Sequence, residues 1–70
     1  MTKTLKHYEN GRFSVSLEID KNGAYTVGLF ETAYNLTFTH RKSTTGKKKN
    51  ALNTFYRYKK EITEQLNKRG

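Results

Sequence analysis

The side chains that could perform acid–base or metal chemistry are few and scattered in this sequence. Glu61 and Glu64 are the only carboxylates at close helical spacing, and they stand among lysines. General acid–base catalysis needs groups with tuned pKa values in a cleft. His7 and His40 have no second ligand at metal-binding spacing, and the chain has no Cys. The sequence therefore predicts no enzyme, no metal site and no cofactor.

Lysine and arginine are the abundant charged residues, and they are unevenly distributed along the chain. The chain has 14 of them against six acidic residues, a formal net charge of +8. Eight lie within residues 41–60, where no acidic residue occurs, and the basic and acidic residues elsewhere balance. Concentrated positive charge is typical of a protein that binds a polyanion. A solubilising surface or a flexible basic loop is the alternative, and we favour polyanion binding.

The basic segment, residues 41–60, contains the candidate phosphate ligands. Lysines that lead into a helix favour phosphate, because the helix N-terminus carries partial positive charge and free N–H groups. Further along, Lys49, Asn53, Arg57 and Lys60 have the spacing of one solvent-facing stripe of a helix. The candidate phosphate-binding residues are Arg41, Lys42, Lys47, Lys48, Lys49, Arg57 and Lys60.

Three segments alternate between apolar and polar residues, which is the pattern of half-buried strands. They cover residues 12–19, 24–30 and 34–40, and residues 20–23 predict a tight turn between the first two. Residues 1–10 are polar and mixed, and we expect a flexible N-terminal arm there. The side chains expected in the core are Phe13, Val15, Leu17, Ile19, Tyr25, Val27, Leu29, Tyr34, Leu36 and Phe38.

The apolar spacing becomes helical from about residue 48 to residue 68, after a polar loop at residues 42–49. Asn50, or a Ser or Thr of the loop, is the expected N-cap. The apolar positions of the helix are Ala51, Leu52, Phe55, Tyr56, Tyr58, Ile62 and Leu66. The predicted fold is α+β: a three-stranded antiparallel β-meander packed against one C-terminal α-helix (β-β-β-α), one domain over residues 11–70.

The outer face of the predicted sheet is a second candidate surface. Its side chains are short and form hydrogen bonds, Arg12 and Arg41 are expected at two of its corners, and Gly28 leaves a flat centre. Such a face can enter a major groove, with Arg reading guanine and Asn reading adenine, and Phe30 could stack on an unpaired base. A plain solvated face is an equally favoured alternative, and Glu18 would repel phosphate. The candidate residues are Arg12, Ser14, Thr26, Phe30, Asn35, Thr37 and Thr39.

Two short strings resemble known nucleic-acid-binding families. Residues 28–33, Gly-Leu-Phe-Glu-Thr-Ala, are similar to the Gly-x-Phe-Asp-Thr-Ala segment of integrase arm-binding domains and plant AP2 domains, which place a three-stranded sheet before a helix. In those families the segment ends the third strand, whereas here it ends the second. The resemblance implies a sheet face that reads DNA. Residues 46–51, Gly-Lys-Lys-Lys-Asn-Ala, resemble the start of the last helix of double-stranded-RNA-binding domains, which grips phosphates. That family begins with a helix, which residues 1–10 do not predict.

These patterns favour a small, basic nucleic-acid-binding accessory protein of the kind that phages and mobile elements carry, with DNA preferred over RNA as the partner. The alternative is a protein-interaction module or inhibitor that docks on an acidic or nucleic-acid-binding surface of a larger complex. The composition predicts no membrane span and fits the cytoplasm. An exposed sheet edge leaves both a monomer and a weak homodimer open.

Overall fold

The computed structural model describes residues 2–66 of the 70-residue chain. Four antiparallel strands pair in the order of the sequence, and one helix follows them. The fold is therefore α+β, a four-stranded antiparallel meander packed against one C-terminal helix (β-β-β-β-α). The elements are β1 (Lys3–Asn10), β2 (Phe13–Ile19), β3 (Tyr25–Ala33), β4 (Leu36–Thr45) and α1 (Lys48–Glu61), which continues as a π-helical turn over Ile62–Leu66.

The sheet has one strand more than the three that were predicted, because residues expected to form a flexible arm make β1. A bulge between Thr4 and Lys6 interrupts the alternation of side chains in this strand. Leu5 and Tyr8 consequently stand three positions apart, which hides the strand pattern in the sequence. β1 is also an edge strand whose side chains are mostly exposed, so its polar composition resembles that of a loop.

The core lies between α1 and the two central strands. Val15, Leu17, Val27 and Leu29 are at most 1% exposed and face the helix. The buried residues are Phe13, Val15, Leu17, Val27, Leu29, Ala51, Phe55, Tyr58 and Ile62, all of which were expected on the apolar sides of their elements. The side chain of Leu66, also expected in the core, lies outside the described residues.

The β3–β4 hairpin differs from the expectation, because its apolar residues are exposed. Tyr34, Leu36 and Phe38 are 95%, 58% and 49% exposed. Tyr34 and Asn35 have φ angles of 54° and 65°, which are those of a two-residue hairpin turn of the I′ type. The predicted strand over residues 34–40 therefore begins in a turn. Its first residues lie at the end of the sheet that α1 does not cover.

A second bulge, at His40, changes which side of the sheet β4 presents. Thr39 pairs with Phe30, and Arg41 pairs with Leu29, so His40 has no partner of its own across the pair of strands. Arg41 consequently lies on the same side as Leu29 and faces the helix. Constant alternation had placed Arg41 on the outer face, and that prediction is wrong.

Candidate nucleic-acid interface

The first turn of α1 concentrates positive charge. The helix begins at Lys48 after Lys47 as the N-cap residue, with no acidic residue in its first turn and no side-chain cap. The prediction of Asn50 as the cap is wrong, because β4 runs on to Thr45 and leaves only two residues before the helix. The first intrahelical bond runs from the N–H of Ala51 to the carbonyl of Lys47 at 3.1 Å. The preceding helical N–H groups are thus left for solvent or a ligand.

The exposed surface of α1 carries the predicted stripe. Lys49, Asn53, Arg57 and Lys60 are all exposed, and their spacing of three or four residues places them on one side of the helix. No acidic residue lies among them. Lys49, Arg57 and Lys60 thus share one side of α1, and Lys47 and Lys48 are exposed at its start. We call this set of exposed residues, Lys47–Lys49 with Asn53, Arg57 and Lys60, the helix stripe.

A shallow hollow lies where the C-terminal half of the helix stripe meets β4. It has a volume of about 450 Å³ and is lined by Arg41, Arg57, Lys60, Glu61 and Glu64. Nη2 of Arg41 is 2.9 Å from Oε1 of Glu61. The candidate phosphate ligand Arg41 therefore already has an anionic partner within the protein.

Lys42 is separated from the other candidate phosphate ligands. It pairs with Gly28 across β3 and β4, so its side chain lies on the outer face of the sheet. Arg41, its neighbour in the sequence, faces the helix. Because consecutive strand residues face opposite sides, the basic segment is divided between the two sides of the molecule, and the bulge at His40 decides that Lys42 is the residue on the outer face.

The outer face of the sheet collects short polar side chains and little positive charge. Five of its seven predicted residues lie there: Ser14, Thr26, Phe30, Thr37 and Thr39. The hydroxyls of Thr26 and Thr44 are 3.4 Å apart across the strands. Glu9 and Glu18 share this face with Lys42, so its formal charge does not favour a polyanion.

Gly28 does not leave a flat centre on this face, as the sequence had suggested. The ring of Phe30, two residues along β3, folds back over it, and a Cβ at Gly28 would lie 2.7 Å from Cε2 of Phe30. Gly28 is buried beneath the ring, and Phe30 is half-buried. One side of the aromatic ring is therefore occupied by its own strand.

The other two predicted outer-face residues lie elsewhere. Arg12 is in the turn between β1 and β2, and its Nε is 3.0 Å from Oε2 of Glu31. The other carboxylate oxygen of Glu31 is 2.7 Å from Nε2 of His40. Glu31 faces the helix side, in register with Phe13. Asn35 is at the tip of the β3–β4 hairpin.

A second hollow, on the opposite flank of α1, was not predicted from the sequence. It lies between β1 and the helix, has a volume of about 280 Å³, and is lined by Lys6, His7, Tyr8, Phe55, Tyr56 and Lys59. Its β1 residues belonged to the expected arm, so the sequence supplied no reason to place them beside the helix. The register places Lys6 opposite Leu17 and Tyr8 opposite Val15, on the side that α1 covers.

Two features were searched for in the part of the chain that is described, a cluster of metal ligands and a membrane-spanning helix. Residues 2–66 contain no cluster of three or more His, Asp or Glu side chains that could hold a metal ion. Over the same residues, no helix has both the length and the apolar character needed to cross a bilayer.

The fold and the surface define a small α+β domain whose cations gather on the side of its single helix. No protein-family model, no curated protein and no solved structure matches this chain. The predicted order of an antiparallel sheet followed by one C-terminal helix is confirmed, and the resemblance to particular families stays a prediction.

Proposed function

We propose that this protein is a non-enzymatic nucleic-acid-binding accessory protein that grips phosphates with the helix stripe, and that DNA is its preferred partner. The observation that carries the proposal is the helix stripe itself. Its five cations are exposed along α1 and at its start, and no acidic residue occurs between Lys47 and Lys60, although the whole chain has six acidic residues. A polyanion is the ligand class that such a surface attracts.

The start of α1 supports this reading energetically. Positive side chains near a helix N-terminus oppose the partial positive charge of the helix end, at a cost of about 0.3–1 kcal/mol each. Lys47, Lys48 and Lys49 all stand there without an acidic residue to offset them. A phosphate would reverse the sign of this interaction, because it would accept hydrogen bonds from the exposed N–H groups and neutralise the lysines.

The two family resemblances imply different contacts, and the charge distribution favours one of them. A lysine-rich helix start on phosphates is the contact implied by the double-stranded-RNA-binding domain. A sheet face that reads DNA is the contact implied by the integrase and AP2 domains. The outer face here carries Glu9 and Glu18 against Lys42, so we assign it at most a secondary, base-reading contact through its serine and threonine hydroxyls.

The helix stripe also suits the alternative function, docking on an acidic protein surface. Nuclease treatment of a pull-down distinguishes the two functions. A protein partner would remain bound in a pull-down after nuclease treatment, whereas a partner bridged by nucleic acid would be lost.

Titration of labelled duplex DNA at several salt concentrations tests the proposal. The logarithm of the affinity should fall with the logarithm of salt concentration with a slope of about −0.9 per phosphate contact, or about −4.5 if all five cations of the helix stripe take part. Absence of binding at low salt, or an affinity that does not change with salt concentration, would contradict the proposed nucleic-acid-binding function.

Lys42 and Lys48 provide matched variants for locating the contact, because both are exposed lysines on opposite sides of the molecule. Lys48→Gln should reduce the steepness of the salt dependence by about 0.9, and Lys42→Gln should leave it unchanged. The reverse result would move the phosphate contact to the outer face of the sheet.

A further inference from the structure

We propose that the hollow between β1 and α1 binds an unpaired nucleotide, with the base stacked on Tyr56 and the phosphate held by Lys6 and Lys59. This inference rests on the proposed nucleic-acid-binding function and goes beyond it. It assigns a second contact on a different flank of the helix, and it names single-stranded or locally opened nucleic acid as the partner.

The lining of the hollow alternates between cations and aromatic rings. Nζ of Lys59 is 4.8 Å from the ring centre of Tyr8, and Nζ of Lys6 is 5.8 Å from the ring centre of Tyr56. Each pair joins a residue of β1 to a residue of α1, so the two elements together build the site. Nucleic-acid grooves that take single strands combine these same two features, cations for the backbone and aromatic faces for the bases.

The lining contains no acidic residue. Among the described residues, every ion pair involves Arg12, His40 or Arg41, and neither Lys6 nor Lys59 has an acidic partner within 4.0 Å. The hollow on the other flank is different, because Glu61 and Glu64 line it. Of the two hollows, the one beside β1 is therefore the one whose cations are available to an anionic ligand.

Tyr56 is held in place for stacking. The residue is 50% exposed, and its ring meets that of the buried residue Phe55 nearly at right angles, with the ring centres 5.6 Å apart. An edge contact of this kind orients the ring and leaves a face accessible. A base can take the place of the Lys6 ammonium over that face, and the flexible lysine stem can carry the ammonium to the adjoining phosphate.

The charge of the hollow selects among the possible occupants. Two lysines without an acidic residue repel a cationic ligand, and a second copy of a chain with net charge +8 would bring like charges together. A nucleotide supplies both an aromatic face and a negative charge. Lys59 is next to Lys60 of the helix stripe. A nucleic-acid strand held in the hollow can therefore continue across the exposed side of α1, which is about 10–12 Å wide.

Fluorescence anisotropy with a labelled oligothymidine and a labelled duplex tests the site. Tyr56→Leu should weaken single-strand binding about ten-fold or more, because a stacking contact is lost, and should change duplex binding less than about two-fold. Lys6→Ala should also weaken single-strand binding. Tyr34→Leu and Lys21→Ala are matched controls at exposed positions away from the hollow, and neither should change single-strand affinity.

Tyr56→Trp provides a second measurement that does not depend on the loss of binding. The chain has no other Trp, so the fluorescence of this variant reports on the hollow alone. Single-stranded DNA should quench it, and binding should be retained because Trp also stacks. Absence of quenching at saturating oligothymidine would overturn the proposal even if Tyr56→Leu failed to fold.

The outcomes separate this inference from the proposed function. Failure to bind either duplex or single strand would overturn both. Binding of both with full single-strand affinity in Tyr56→Leu, or an equal loss in Tyr34→Leu, would overturn only the nucleotide site. A nuclease-resistant protein partner that is lost with Tyr56→Leu would assign the hollow to an acidic protein and would also overturn it.

Discussion

Arg41 and Glu61 join β4 to the last turn of α1, with Nη2 of Arg41 2.9 Å from Oε1 of Glu61. The Arg41 side chain is 57% exposed and that of Glu61 is 18% exposed. The bulge at His40 makes this contact possible, because it turns Arg41 toward the helix. An exposed pair of this kind contributes about 0.2–1 kcal/mol to stability. For the proposed phosphate contact, the pair matters because Arg41, which borders the helix stripe, already has Glu61 as an anionic partner.

Glu61→Gln should strengthen duplex binding. The substitution removes a negative charge beside the helix stripe and frees Arg41 for a phosphate, so the salt dependence should become steeper by about 0.9. Unfolding in urea should show a loss of stability of no more than about 1 kcal/mol. Glu64→Gln is the control, because Glu64 lines the same hollow without pairing with Arg41. An equal gain in both variants would attribute the effect to net charge and not to release of Arg41.

Replacement of Lys47, Lys48 and Lys49 by Ala should lower DNA affinity without lowering stability. The steepness of the salt dependence should fall by about 2.7, equally for unrelated duplex sequences, because phosphate contacts carry no sequence information. The midpoint of thermal unfolding should stay level or rise, since the substitutions remove like charges from the helix N-terminus and introduce a good helix former. A lower midpoint, or a loss confined to one DNA sequence, would contradict this account of the helix start.

Gly28 and Phe30 should be energetically coupled. Gly28→Ala places a methyl group where the Phe30 ring lies, so the ring must swing away from the strand. In a Phe30→Ala background the same methyl group meets no ring. A double-mutant cycle measured by urea unfolding should therefore give a coupling of about 1 kcal/mol. Additive effects would mean that the ring does not rest on Gly28 in solution.

Deletion of residues 2–10 should destabilise the protein strongly, although the sequence predicted a flexible arm there. The deletion removes β1 and its backbone hydrogen bonds to β2, each worth about 0.5–1.5 kcal/mol net. A chain of this size has a small stability margin, so we expect a loss of at least about 2 kcal/mol, measured by thermal unfolding with circular dichroism. A chain that lacks only the residues before Lys3 is the control. An unchanged unfolding midpoint after the longer deletion would support the prediction that these residues form a flexible arm.

The sequence by itself determined the two central strands, the helix and the location of the charge. β2 and β3 alternate without interruption, so their inner faces could be assigned from position alone, and all the buried residues of the sheet come from them. The helical spacing after residue 48 likewise identified the buried side of α1. These properties are local, because each depends on the periodicity of one segment.

Only the tertiary structure decided which residues meet. The bulges at Leu5 and His40 depend on how one strand pairs with its neighbour, and a single extra residue moves the following side chains to the other face. The exposure of the hairpin tip depends on how far the helix reaches along the sheet. For these reasons the sequence located the helix stripe but not the Arg41–Glu61 pair or the hollow beside Tyr56, since both join residues from separate elements across the packed sheet and helix.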